Sequence, residues 1–255
     1  MEDIVTPKEE KIESNVPRGV SRERSFDIES WTPATRLGKE VKSEKITNID
    51  EILDKGLNIL EAEIVDTLLK NLKSDLLLVG QSKGKFGGGK RSIWRQTQKK
   101  TKEGNKASFS ALAVVGNGDG YVGLGIGKSK ETVPAREKAT RQAKLNIIKI
   151  RRGCGSWETA EPNPTSIPFA VEGKCGSVKI KLMPAPQGTG LVVEKECRKI
   201  LSMAGIEDIY SKTSGHTGTK LNLLTACFNA LKQLSSMKIQ QKHEKQLGMI
   251  SGSRL

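Results

Sequence analysis

The sequence predicts an α+β protein built from two small α/β domains, and three observations carry that reading. Period-two alternation appears twice: Phe109, Ala111, Ala113 and Val115 interleave with Ser108, Ser110, Leu112 and Val114, and Val178, Ile180 and Leu182 interleave with Lys179 and Lys181. Each strand signal is followed by a helical one. Ala135, Ala139, Ala143 and Ile147 recur at i+4, and Leu221, Leu224, Phe228, Leu231 and Leu234 form a seam in the longest helix, expected over 220–237. Between the two blocks, Gly153, Gly155, Pro162, Pro164 and Pro168 mark a connection. A chain of 255 residues accommodates one large or two small domains.

Charge narrows the class of partner. Lys and Arg total 43 against 29 Asp and Glu, giving a net charge of +14 and a pI near 9.6. Such a surface attracts polyanions. Nucleic acid is the leading candidate; an anionic membrane surface is the rival, but no apolar run approaches the roughly 18 residues of a spanning helix. Met1 is followed by an acidic start, so no signal peptide is visible. The charge is uneven. Residues 1–81 carry 12 basic and 17 acidic side chains, whereas 82–106 carry nine basic side chains and only Glu103 in opposition.

In chain order, 1–30 reads as a flexible polar tail containing Pro7 and Pro17, and 31–74 as a helical extension. Asn48 and Glu51 have capping-box spacing before a short helix that Gly56 stops. Over 61–72, Ile64, Val65, Leu68, Leu69 and Leu72 share one helix face, with Asp66 and Lys70 as an outward i,i+4 pair. Residues 75–79 form a strand or continue that helix packing. The first α/β domain is expected over 75–153 and contains the basic arm 82–106. Its cations Lys83, Lys85, Lys90, Arg91, Arg95, Lys99, Lys100, Lys102 and Lys106 suit phosphate contacts, and Gly87, Gly88 and Gly89 let backbone approach another molecule closely. Trp94 suits either base stacking or the core beside Ile93.

Residues 101–106 read as a hairpin tip. Asn117-Gly118 and Asp119-Gly120 predict a tight turn, with 121–126 returning antiparallel. A helix follows, with Pro134 in its first turn and Ser129 or Thr132 as cap; Arg136, Lys138, Arg141 and Lys144 lie off its alanine stripe. The second α/β domain, 154–238, opens with strands at 167–171 and 178–182. A helix bearing Cys197, Ile200, Leu201 and Ala204, a strand within 206–214 and the long helix complete it. Residues 239–255 read as a loose tail.

Two glycine motifs invite a nucleotide site and neither fits. Gly118-x-Gly120-x-x-Gly123 lies between two strands rather than opening a helix, so a pyrophosphate would meet no helix N-terminus. Gly127-Lys128-Ser129 resembles the end of a phosphate-binding loop, but position 122, where the first glycine belongs, is Val. Gly123, Gly125 and Gly127 instead let a helix lie close on the sheet. Cys154, Cys175, Cys197 and Cys227 are widely spaced without a C-x-x-C, and the only histidines are His216 and His243. They read as structural thiols in a reducing, cytoplasmic setting, with no metal and no cofactor. His216 reads as a surface turn, and nothing marks a nucleophile with its base. The chain is expected not to be an enzyme.

The run FSALAVVGNGDGYVGLGIGKSKETVPAREKATRQAKLNIIKIRRGCGSW, then IPFAVEGKCGSVKIKLMPAPQGTGLV and MAGIEDIYSKTSG, resembles the universal family of small-subunit ribosomal protein five. WTPATRLGKEVKSEKI and RRGCGSWE resemble its archaeal branch. The resemblance runs from about residue 31 to 237. It implies a first domain like a double-stranded-RNA-binding domain, with a helix, a three-stranded antiparallel sheet and a helix, and a compact β-α-β-α second domain. It further implies a structural role in binding small-subunit rRNA, supporting assembly and contributing to translational accuracy near the decoding site and mRNA entry. Asn105, Lys128, Arg151 and Arg152 join the arm as expected rRNA contacts. Gly188, Thr189, Gly190 and Arg198 match the side facing ribosomal protein four, and protein eight is the other expected neighbour. No membrane and no homo-oligomer is implied. The glycine-lysine insertion over 80–91 departs from the bacterial pattern.

Overall fold

The computed structural model describes residues 31–69, 71–82, 84, 89, 91–159 and 163–253. The expected tail 1–30 lies outside them. Three short helices come first: α1 (Arg36–Lys42), α2 (Ile49–Asp54) and α3 (Ala62–Leu68). The Thr35 hydroxyl caps α1 by accepting from the Gly38 amide at 3.1 Å. Asn48 precedes α2, but its side chain makes no cap bond. The capping box therefore does not form, and Asp50 in that first turn is drawn instead to Tyr121 and Lys149. Helix α3 stops early, because Leu69 is extended and Leu72 packs under the first sheet rather than on the helix. Lys70 lies outside the described residues, and Asp66 ties α3 to a later helix by an ion pair with Lys144 at 2.7 Å.

The first sheet is assembled around one long strand. Strands β1 (Lys73–Leu76), β2 (Arg95–Thr101), β3 (Gly104–Gly116) and β4 (Tyr121–Ser129) are followed by helix α4 (Thr132–Leu145) and strand β5 (Ile147–Lys149). The sheet has five strands rather than three, because β1 and β2 share one edge of β3: β1 pairs with 113–116 and β2 with 104–110. On the other edge β4 pairs along β3, and β5 pairs with β4. Strand β1 begins two residues before the expected 75. Helix α4 starts after Glu131, with neither Ser129 nor Thr132 capping it.

Both faces of this sheet are apolar, and each has its own occupant. Ala111, Ala113 and Val115 face α4, where Ala135, Ala139 and Ala143 are fully buried. Their partners across the ladder are Gly127, Gly125 and Gly123. A Cβ at Gly125 would lie 2.1 Å from the Ala143 amide nitrogen, so the glycines are what let α4 rest on the sheet. Trp94, half-buried, packs against this same cluster, as the core reading expects. The opposite face, Leu112, Val114, Val122 and Leu124, joins the second half of the chain in one continuous core.

That second half continues with β6 (Arg151–Arg152), β7 (Val171–Cys175), β8 (Val178–Pro184), β9 (Leu191–Val192), α5 (Lys195–Met203), β10 (Ile209–Ser214) and α6 (Lys220–Ser236). The sheet order is β7-β8-β10-β9, antiparallel except for the β9–β10 pair. The strand expected over 167–171 begins only at Val171. Ile167 is buried without ladder pairing, and Pro168, which lacks an amide hydrogen, suits that irregular approach. The buried seam of α6 runs through Leu223, Leu224, Cys227, Ala230, Leu231 and Leu234, so Leu221 and Phe228 flank the core. Gly173 lets α6 lie on β7, since a Cβ there would meet the Ala226 carbonyl at 2.0 Å.

The two halves pack into one compact unit from Thr32 onward, joined by the shared core while α4 keeps a smaller cluster of its own. The β3–β4 turn makes the joint. The Gly118 and Gly120 amides donate to the carbonyls of Met203 and Ala204 at 2.9 and 3.1 Å, satisfying the end of α5. Glu196, buried in α5, accepts from the Leu78 amide at 2.9 Å. Beside it, Lys199 pairs with Asp75 at 2.9 Å. Burial opposes the Lys199 charge, but the hydrogen bond and charge of Asp75, with Glu196, outweigh it and raise its pKa.

The C-terminal segment is folded where a loose tail was expected. Helix α7 (Gln241–Gln246) leads into β11 (Ile250–Ser251), which pairs with β6. Its polar composition hides this, because the holding groups are backbone: Cys154 and Gly252 amides donate to Leu247 and Ile150 carbonyls at 2.8 and 3.1 Å.

Candidate nucleic-acid interface

The β2–β3 hairpin projects beyond the core. From Arg95 to Lys100 every side chain of β2 is exposed, and burial along β3 begins only at Ala111. The local sequence explains why it still holds a ladder. Thr97 and Ser108 hydroxyls meet at 3.0 Å across the strands, the Thr101 hydroxyl donates to the Gly104 carbonyl at 2.7 Å, and Gly104 takes φ +112 at the turn. Lys102 and Glu103 form the tip between the paired Thr101 and Gly104.

Register sorts the cations. Lys99 stands directly opposite Lys106, and Arg95, Ser110 and Lys128 align in one row across β2, β3 and β4. These positions share parity, so Arg95, Lys99, Lys106 and Lys128 lie on one face with Thr97, Ser108 and Ser110 between them. Lys100 and Asn105 pair on the other face. Like charges directly opposite disfavour a ladder unless an anion is supplied. Glu103 supplies one locally, pairing with Lys106 at 2.7 Å on the exposed tip.

The other expected residues divide. Lys83, Lys85, Gly87, Gly88 and Lys90 lie outside the described residues. Gly89 takes φ +69 and accepts from the Ser82 hydroxyl at 3.1 Å, while Ser82 and Arg91 form an isolated bridge at the base of the arm. Arg152 is a correction. It is 3% exposed, and its guanidinium donates to Asp119 and to the carbonyls of Gly205 and Gly252, so it knits the β3–β4 turn to the C-terminal segment and faces no solvent. Arg151 donates to the Leu234 and Met237 carbonyls and caps the end of α6. An Arg-Arg pair beside a basic helix looks like surface, and only the distant return of residues 247–253 makes it interior.

Gly188, Thr189, Gly190 and Arg198 are brought together. The Thr189 hydroxyl closes the loop on the Pro186 carbonyl at 2.8 Å, the Gly190 amide donates to Asp208 at 2.8 Å, and Arg198 reaches the Leu191 carbonyl at 3.2 Å. The loop and Arg198 thus form one exposed corner. A further polar cluster was not read from the sequence: Tyr121 donates to Asp50 at 2.6 Å, and Lys149 pairs with Asp50 at 3.0 Å and Asp54 at 3.3 Å. Burial, then the Asp50 hydrogen bond, raises the Tyr121 pKa.

Among the described residues no group of His, Cys, Asp or Glu could hold a metal, and no helix is long and apolar enough to cross a membrane. The four cysteines are free thiols; the Cys197 thiol is pushed up by a hydrogen bond with Cys227 and by burial. His216 sits in an exposed turn that the Thr219 hydroxyl closes at 2.6 Å. The glycines of the false nucleotide motif are used by the turn and α4, as described above.

Comparison with known proteins decides the family. The model for "Ribosomal protein S5, N-terminal domain" matches residues 93–151, and that for "Ribosomal protein S5, C-terminal domain" matches 173–245. The small ribosomal subunit protein uS5 of Nanoarchaeum equitans is 50% identical over 227 residues, covering 89% of this chain and 97% of its own. The chain belongs to the ribosomal protein S5 family. The uS5 of Methanocaldococcus jannaschii is 45% identical over 89% of this chain and 98% of its own, and that of Methanosphaera stadtmanae 47% identical over 88% and 92%. Membership is of the archaeal type. It makes the chain a structural component of a ribonucleoprotein in translation, not an enzyme. The N-terminal family model spans all of the β2–β3 hairpin, β4 and α4, so the projecting cations are part of the family's domain rather than an appendage.

Proposed function

We propose that this chain binds small-subunit rRNA through the β2–β3 hairpin and helps to assemble and hold the small subunit in the cytoplasm. The observation that carries this is the face bearing Arg95, Lys99, Lys106 and Lys128, solvated, without core of its own, and aligned by register. Lysine and arginine there meet phosphate and fix position without reading sequence. Lys102 at the tip and Lys100 with Asn105 on the reverse face extend the contact around the hairpin. Lys83, Lys85, Gly87, Gly88, Gly89, Lys90 and Arg91 are assigned to the same contact through the arm. Helices and an antiparallel sheet in the first half support the likeness to a double-stranded-RNA-binding domain, and α4 with Lys138 and Arg141 exposed adds to the basic surface. The corner of Gly188, Thr189, Gly190 and Arg198 is assigned to ribosomal protein four. Protein eight is a second neighbour, and from this position the chain contributes to decoding accuracy near the mRNA path.

Sucrose-gradient sedimentation of cell extract tests the reading. Stoichiometric movement with small subunits is expected, and Lys99→Gln, Lys100→Gln and Lys102→Gln together should shift protein towards the top of the gradient. A predominant ribosome-free pool of the unaltered chain would contradict it.

A further inference from the structure

The second sheet has an inner face covered by α6 and an outer face covered by nothing among the described residues. Register defines that outer face in three rows. Val192, Tyr210 and Met183 form the first across β9, β10 and β8. Lys212, Lys181 and Glu172 form the second, and Ser214, Lys179 and Lys174 the third. The alternate positions Val178, Ile180, Leu182 and Ile209 are buried, so through β8 and the start of β10 the three rows lie on the face opposite the core; the alternation lapses at the end of β10, where Thr213 is exposed. Tyr210 is 39% exposed and Val192 49%. Only Lys181 has an acidic partner, Glu172 at 3.5 Å; among the described residues Lys174, Lys179 and Lys212 have none.

We propose that this outer face is a binding surface for single-stranded RNA, distinct from the hairpin. An aromatic ring flanked by two apolar side chains, with lysines on the neighbouring rows, offers a base a stacking platform and its flanking phosphates a counter-charge. A duplex would present phosphates but no free base face, which leaves Tyr210 without purpose. A protein partner of ordinary interface composition would meet four lysines, a residue type depleted at such contacts. The open sheet with lysines on three adjacent strands suits an extended strand lying across it. This inference rests on the chain being an RNA-binding component but uses none of the hairpin residues.

The test uses the full chain and a labelled ten-nucleotide oligouridylate, read by fluorescence anisotropy. Tyr210→Ala should weaken binding roughly tenfold, the weight of about one base stack, while Tyr210→Phe stays within about twofold. Lys179→Gln with Lys181→Gln should reduce the log–log salt slope by about 1.4, or 0.7 for each lost contact with a single strand. The hairpin variant of Lys99, Lys100 and Lys102 should keep most of its oligouridylate binding while losing a folded rRNA fragment, which separates failure of this inference from failure of the hairpin reading. Tyr210→Ala binding like the unaltered chain would overturn it, as would equal losses for Tyr210→Ala and Tyr210→Phe, or loss of the oligomer in the hairpin variant alone. If Tyr210→Ala unfolds, the lysine pair on the exposed face carries the same decision.

Discussion

The two halves of β3 share one backbone geometry and have opposite surroundings. From Ala111 to Gly116 every residue is buried, with α4 on one side and the second half of the chain on the other. From Gly104 to Ser110 the same strand carries no buried residue and is held by its ladder with β2, two hydroxyl contacts, the Lys106–Glu103 pair and a turn, with β4 reaching only Phe109 and Ser110. The inner half is mechanical: it fixes direction. The outer half carries charge that folding does not need, and a protein gains nothing in stability by setting Lys99 opposite Lys106. Stability and binding should therefore separate along one strand.

The largest expected effect lies at the inner half. Gly125→Val places carbon against the backbone of Ala139 and Ala143, and should cost more than about 3 kcal/mol in denaturant unfolding, with α4 displaced. A loss within experimental error would mean that α4 does not rest on β4. Next, Arg152→Leu strips the Gly252 and Gly205 carbonyls and Asp119 of their donor, and a loss of about 2–3 kcal/mol is expected with release of residues 247–253, seen as faster amide exchange at Gly252. Retained protection would show that the C-terminal segment is held by β11 alone.

Much of this division is visible in the residues themselves. The alternation over 109–115, the Asn-Gly and Asp-Gly turn, the alanine stripe and the facing glycines are local signals, and each formed as its spacing predicts, save that Ile147, the stripe's fourth member, lies in β5 beyond the end of α4. Non-local features were not visible. That Leu112 and Val114 share a core with α5, that β1 and β2 divide one edge of β3, and that residues 247–253 return to bury Arg152 all depend on partners tens of residues away. Polar composition misled at 239–255, because backbone hydrogen bonds carry that segment, and charge misled at Arg151 and Arg152 for the same reason. The hairpin cations were readable as a set, but only the register tells that Lys100 faces away from Lys99 and Lys106.

A pH effect sharpens the comparison from the core side. The Tyr121 pKa is raised in the folded chain, so the phenol resists ionisation there while the unfolded chain ionises at its ordinary value near 10. The unfolded state thus releases the proton first, and this contribution to stability, full below pH 10, falls as pH rises beyond it. Tyr121→Phe should flatten that alkaline decline in a urea midpoint series while lowering stability at neutral pH, where the Asp50 hydrogen bond is lost. An unchanged decline would remove the assignment.

The smallest expected effect on stability is at the outer half: Lys99→Gln, Lys100→Gln and Lys102→Gln together should change unfolding free energy by no more than about 0.5 kcal/mol. The same variant should show the largest effect on RNA, and its salt dependence is the most direct measurement. For the unaltered chain on a small-subunit rRNA fragment, about six to nine phosphate contacts predict a log–log slope of magnitude about 4–8, and removing three should lower it by about 2–3. A slope unchanged by the triple substitution, with affinity unchanged, would contradict the placement of rRNA on the β2–β3 hairpin.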